Sequence, residues 1–111
     1  FQRWRSRRVR VEDDSMRPTL RPGDRLRVDP RAYRDRPPRV GEIVILVDPA
    51  DATRWLVKRV SAVDPTAGTM EVRGDASANA RDSREFGPVL LTSLIGHVYE
   101  CYYPRDRRRH L

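Results

Sequence analysis

The sequence predicts an all-β fold, a barrel or sandwich of short strands with short loops and at most one short helix. Three observations lead there. Turn residues (Pro, Gly, Asp) punctuate the whole chain. Strand-like runs follow one another at a spacing of about 8–15 residues. Helix-period patterning is hard to find anywhere.

The elements follow in order. "FQRWRSRRVR" (1–10) is a basic, strand-like arm, and "VEDDSMRPTL" (11–20) leads from it into a turn bounded by Pro18 and Pro22. "RPGDRLRVD" (21–29) is a Pro-Gly turn entering a strand, and "YRDRPPRVGE" (33–42) is a loop. "EIVILVD" (42–48) has the length and apolar continuity of a buried strand. "DPADAT" (48–53) is expected to be a loop, and "RWLVKRVSAV" (54–63) alternates like a strand. "DPTAGT" (64–69) turns into a strand at "MEVRG" (70–74). Residues 74–89 show no period and are expected to be a loop, with a small helical piece at Leu90–Leu94 and a closing strand over "IGHVYECYY" (95–103). Functionally, the 111 residues divide into a basic arm (1–10), one body (11–103) and a basic tail (104–111), with no internal repeat.

Composition excludes some classes. Apolar residues make up 38% and charged residues 35%, and no apolar run approaches the roughly 20 residues of a membrane helix. The chain begins at Phe1 rather than Met, so a preceding anchor or signal segment is compatible with it. One cysteine, Cys101, permits no intrachain disulfide and implies no oxidising compartment. A cytoplasmic location, or a peripheral one at a membrane, is expected. The formal charge of +7 is concentrated at the ends: residues 1–10 carry +5 and residues 104–111 carry +3, which leaves −1 on the body. Arg-rich ends of this kind solvate a chain terminus or touch an anionic membrane surface. No nucleic-acid partner is expected, because the body offers no basic reading face.

Of the 23 basic residues only one, Lys58, is a lysine. Arginine stays protonated in proteins, whereas a desolvated lysine can give up its proton. On a strand, Arg54, Leu56, Lys58, Val60 and Ala62 share a face, so the nearest neighbours of Lys58 along the strand are aliphatic. Such surroundings lower a lysine's pKa. The alternative is a lysine whose stem packs on the sheet while its head reaches water.

Several short motifs now fall in one order: Ser15-Met16-Arg17-Pro18-Thr19-Leu20, Pro22-Gly23-Asp24, Val57-Lys58-Arg59-Val60, and Gly74-Asp75, Asn79, Asp82-Ser83-Arg84 and Gly87. Over residues 13–100 this arrangement resembles the type I signal peptidases. The resemblance implies a signal-peptidase-like β-barrel-type fold, akin to that of self-cleaving SOS repressors, and a serine endopeptidase with a Ser/Lys dyad. Ser15 is the implied nucleophile, Lys58 the general base, and the backbone N–H of Ser15 one donor to the oxyanion. Met16, Asp75, Asp82, Ser83 and Arg84 are the implied supporting residues, with Asp82 and Arg84 bracing the site as a pair. Asp13, Asp14, Leu56 and Val57 are expected to line the groove for an extended substrate strand. No metal or other cofactor is implied.

The substrate class implied is a precursor protein that loses an N-terminal signal or pro-peptide. Within the family, "DSREFGPV" (82–89) and the Arg-rich composition are similar to the maturation proteases of nickel superoxide dismutase. A repressor-type self-cleaving peptidase and a non-enzymatic basic module binding nucleic acid are the alternatives. The departures from the family pattern are also specific. Asp13 stands where a hydroxyl or glycine is usual, Ala76 where Asn is usual, and Ala80 where a serine often contacts the lysine. Lys58 is then left for Ser83 or a water to orient, and Asp13 and Asp14 favour its charged form. His97 has no visible acid partner, His110 lies in the tail, and Cys101 reads as core. Residues 105–111 are expected to be dispensable for the chemistry.

Overall fold

A computed structural model describes residues 7–76 and 81–111. Its strands are β1 (Arg7–Arg10), β2 (Arg25–Asp29), β3 (Ile43–Asp48), β4 (Asp51–Asp64), β5 (Thr69–Arg73), β6 (Val89–Leu90), β7 (Leu94–Tyr103) and β8 (Arg109–His110). They form one antiparallel sheet in the order β1-β2-β7-β3-β4-β5-β6, with β8 added to β7. The fold is all-β, as the turn spacing predicts.

Both faces of this sheet are covered, which explains the unbroken apolar run of β3. Ile43 and Ile45 face one core, with Leu26, Val28, Val98 and Cys101, and with Val11, Met16 and Leu20 from the segment between β1 and β2. Val44 and Leu46 face a second core, with Leu56, Val60, Met70, Val72 and Val89. Alternate residues of one strand therefore serve two cores. Gly96 on β7 is buried because the chain crosses closely there: a Cβ would meet the Asp29 carbonyl oxygen at 2.5 Å and Val28 Cγ1 at 2.7 Å.

Three local expectations need correction. The loop expected over 48–53 is instead a tight hairpin, in which Asp48 pairs with Asp51 and β4 begins at once. Side chains close it: Asp48 Oδ1 accepts the Ala50 N–H at 2.8 Å, and Asp51 Oδ1 accepts the N–H and hydroxyl of Thr53. Ala62 does not continue the Leu56–Lys58–Val60 face. The register shifts between Val60 and Ala62, so Val63 packs on the core in its place. The α-helical turn, α1, lies at Ser83–Phe86, ahead of the expected position, and Leu91–Ser93 forms a 3-10 turn. Asp82 is the N-cap of α1, its side chain accepting the Arg84 N–H, and Glu85 follows in the first turn.

The ends of the described chain are seated on the sheet. β1 pairs with β2, and β8 pairs with β7. Arg107 places its guanidinium on Asp24, which is 2% exposed, at 3.1 Å from each carboxylate oxygen. The carbonyl of Thr19 accepts from Arg107 and from Arg109. These contacts tie residues 107–109 to the segment that carries Thr19.

Candidate active site

Lys58 occupies the middle of β4 on the face of the second core, between Leu56 and Val60 and directly across from Val44 on β3. It is 2% exposed. Its surroundings are those the strand pattern predicts. Burial draws the ammonium below the usual lysine range; Asp13 and Asp82 oppose that shift, while Arg81 and Arg84 assist it.

Ser15 lies in the turn between β1 and β2, directly before Met16, which is 1% exposed in the first core. Ser15 and Lys58 line one cavity of about 420 Å³ with Asp13, Asp14, Leu56 and Ala76. Arg17, Arg54 and Arg81 complete its wall, and none of these three was named as a site residue from sequence. Met16 thus anchors from below a serine held at the junction of the two cores.

The turn carrying Ser15 is tied to the strand carrying Lys58 through Asp75. The Thr19 hydroxyl donates to Asp75 Oδ2 at 2.6 Å, and Arg59 donates to both oxygens of the same carboxylate at 2.9 and 2.7 Å. Burial works to raise the Asp75 pKa, but Arg59 and Thr19 hold it below the usual range. Ala76 adds a backbone tie, its N–H donating to the Ser15 carbonyl at 2.9 Å. Arg59 and Thr19 are supporting residues that the sequence names only as motif members. Their role depends on Asp75, which lies 16 positions from Arg59 and 56 from Thr19.

Asp82 and Arg84 form the expected pair, but with an unequal environment. Asp82 is fully buried and accepts the Gly74 and Arg84 N–H groups as well as the Arg84 guanidinium. Burial alone would raise its pKa, but these donors bring it down to about 2. Its side chain therefore fixes the start of α1 against the end of β5. Ser83 is buried too, and its hydroxyl oxygen accepts the Val72 N–H of β5 at 2.8 Å. It does not line the cavity of Ser15 and Lys58. Asn79 and Ala80 lie outside the described residues.

Asp13 reaches back to the nucleophile candidate: its Oδ1 accepts the Ser15 N–H at 3.0 Å. Burial acts to raise the Asp13 pKa, yet the N–H and hydroxyl of Ser15, with Lys58 and Arg54, hold it below the usual range. Asp14 pairs instead with Arg17. A second groove of about 300 Å³ runs beside the first. It lies between residues 9–13 with Met16 on one side and Thr53, Arg54, Trp55 and Val57 on the other.

The two histidines and the cysteine lie outside the cavity's wall. His97 does have an acid partner, contrary to the sequence expectation: Glu42 Oε2 stands 3.7 Å from its Nε2, brought there by the β3–β7 pairing. Cys101 is fully buried, and burial raises its thiol pKa, as suits a core residue. No group of three or more metal-ligating side chains occurs among the described residues, and none of their helices is long and apolar enough to cross a membrane.

The model of the family described as "Signal peptidase, peptidase S26" matches residues 5–70, more than half of the chain. The matched region contains both Ser15 and Lys58. The chain belongs to the signal peptidase S26 family. It is similar to the mitochondrial inner membrane protease subunit 2 of Mus musculus, 31% identical over 93% of this chain and 70% of that protein. It is also similar to the probable signal peptidase I-1 of Synechocystis, 27% identical over 87% of this chain and 71% of the relative. A third relative, subunit 1b of the mitochondrial ATP-independent inner membrane protease of Arabidopsis thaliana, is 32% identical over 81% and 66%. As a member of this family the chain is a protease of the signal-peptide-removing class. The non-enzymatic module considered for its basic ends is thereby set aside.

Proposed function

We propose that this signal peptidase family member cleaves a precursor polypeptide with a Ser15/Lys58 dyad. Neutral Lys58 accepts the Ser15 hydroxyl proton as Oγ bonds to the scissile carbonyl carbon, and the carbonyl electron pair moves onto oxygen. Lys58 then returns the proton to the leaving amine, and a water releases the acyl group from Ser15. The observation that carries this is the burial of the chain's only lysine among aliphatic side chains, in the wall of the cavity that holds Ser15.

The substrate strand fits the groove beside the cavity. β4 pairs with β5 only from Arg59 onward, so among the described residues the Asp51–Lys58 edge facing away from β3 has no strand partner. β1 likewise pairs on one side only, with β2. An extended peptide laid between these edges gains backbone hydrogen bonds and reaches the cavity with its scissile bond. Leu56 and Asp13 line the cavity, Val57 lines the groove, and Asp14 stands at the cavity wall beside Arg17. The supporting set is Met16, Asp75, Asp82, Ser83 and Arg84, acting through the turn, strand and helix contacts described above.

The similarity of residues 82–89 to nickel superoxide dismutase maturation proteases makes such a precursor the first substrate to try. An anionic membrane surface is a second partner. Arg10 stands opposite Arg25 in the β1–β2 ladder, a like-charge pairing that an anionic surface relieves. The test of the dyad is cleavage of a precursor followed by mass spectrometry. Ser15→Ala and Lys58→Met are each expected to abolish cleavage while the protein stays folded by circular dichroism. Wild-type cleavage by Lys58→Met excludes the dyad.

A further inference from the structure

The backbone N–H of Ser15, which a peptidase of this design offers to the developing oxyanion, is already engaged: it donates to Asp13 Oδ1 at 3.0 Å. A carboxylate on this donor has two chemical consequences. It occupies one of the few groups able to stabilise the tetrahedral intermediate. It also places a negative charge where another negative charge must develop, since an ionised carboxylate can only accept. Asp13 lines the same cavity as Ser15 and Lys58, so the contact lies inside the site and not behind it.

We propose, resting on the Ser15/Lys58 dyad, that Asp13 is a gate on the oxyanion site that an incoming substrate carbonyl must displace. Arg54, in the wall of the same cavity, is the cation placed to receive the displaced carboxylate; Asp14 is occupied with Arg17, and Arg81 with Asp48. The gate favours substrates that bind the groove strongly enough to drive this exchange, and it slows cleavage of poorly held peptides. Asp13 is thus a positioning and selectivity residue.

The experiment compares Asp13→Gly, Asp13→Ser and Asp13→Asn with the parent on a short quenched-fluorescence peptide with small residues before the cut. The Ser15 amide resonance is followed by 15N NMR in each protein. Loss of a hydrogen bond to a charged acceptor at a partly exposed site corresponds to a rise in kcat/KM of about tenfold for Gly and Ser. Asn, which keeps an acceptor without the charge, is expected to fall between them and the parent. The Ser15 amide should move upfield in Asp13→Gly, reporting the lost carboxylate contact. If Asn matches the parent and Gly is slower, Asp13 only holds the turn, and the gate is overturned. An unmoved Ser15 amide overturns it as well. Cleavage by the parent with no change in any Asp13 variant removes the gate and leaves the dyad standing. No cleavage by any of the four removes both.

Discussion

Lys58 lies directly opposite Val44 in the β3–β4 ladder, and that pairing closes its aliphatic surroundings. Val44 is fully buried, with Leu56 and Val60 on either side of Lys58 along its own strand. Burial there disfavours the ammonium.

The first prediction concerns its ionisation. The single lysine ε resonance, followed by NMR, should titrate below the ordinary value of about 10.4. Peptidase activity should rise with pH through that same titration, because only neutral Lys58 can take the Ser15 proton. The stability effect has the same sign. Between the lowered folded pKa and the ordinary unfolded one, the unfolded chain binds the extra proton, so stability rises with pH across that window. A titration at or above the ordinary value contradicts both expectations.

Asp75 should matter beyond its own charge. Asp75→Ala removes the acceptor shared by Thr19 and Arg59 and leaves Arg59 unpaired, at a cost of about 2 kcal/mol in urea unfolding. Asp75→Asn keeps one acceptor for Thr19 and should fall between. Activity should drop more than stability explains, because the tie sets the serine turn against the lysine strand. A Thr19→Val, Asp75→Ala double mutant that loses the sum of both single effects would show that the tie is not shared.

Asp82 dominates the acid limb. With a folded pKa of about 2 against an ordinary value near 3.8, it contributes about 2 kcal/mol above the unfolded value, and that contribution is lost as pH falls from about 4 to about 2. Asp82→Asn should lower stability at pH 7 and flatten the pH dependence over that range. Chemical denaturation at a series of pH values reads both, and an unchanged acid limb in the variant rules out this assignment.

The C-terminal contact predicts that Arg107→Ala costs about 2 kcal/mol, because Asp24 stays buried while losing its guanidinium. Removing residues 105–111 should do at least as much and loosen the turn around Thr19. Arg108→Ala, at an exposed position, is the control and should stay within about 0.5 kcal/mol of the parent. Equal melting of all three would overturn the role given to Arg107.

Much of this was legible beforehand because it is short-range. The alternation around Lys58 placed it between Leu56 and Val60, and the apolar run of β3 marked a strand covered on both faces. The helix was expected at Leu90–Leu94 and instead starts at Ser83, capped by the Asp82 side chain. Other features were not legible. The hairpin at 48–51 depends on side-chain caps, and the bulge that replaces Ala62 with Val63 depends on the register of β5. His97 finds Glu42 only through the β3–β7 pairing.

The sequence by itself determined the strand class, the family motifs and the identity of the two residues proposed as a dyad. Periodicity, turn chemistry and motif order are properties of neighbours along the chain. The tertiary structure alone decided that Lys58 is closed in by Val44, that Asp75 serves Thr19 and Arg59 together, and that Arg107 and Arg109 hold the serine turn. It also decided that Asp13 rests on the Ser15 N–H rather than pointing away. Each of these depends on burial and on distances between distant segments, which strand pairing sets and composition does not.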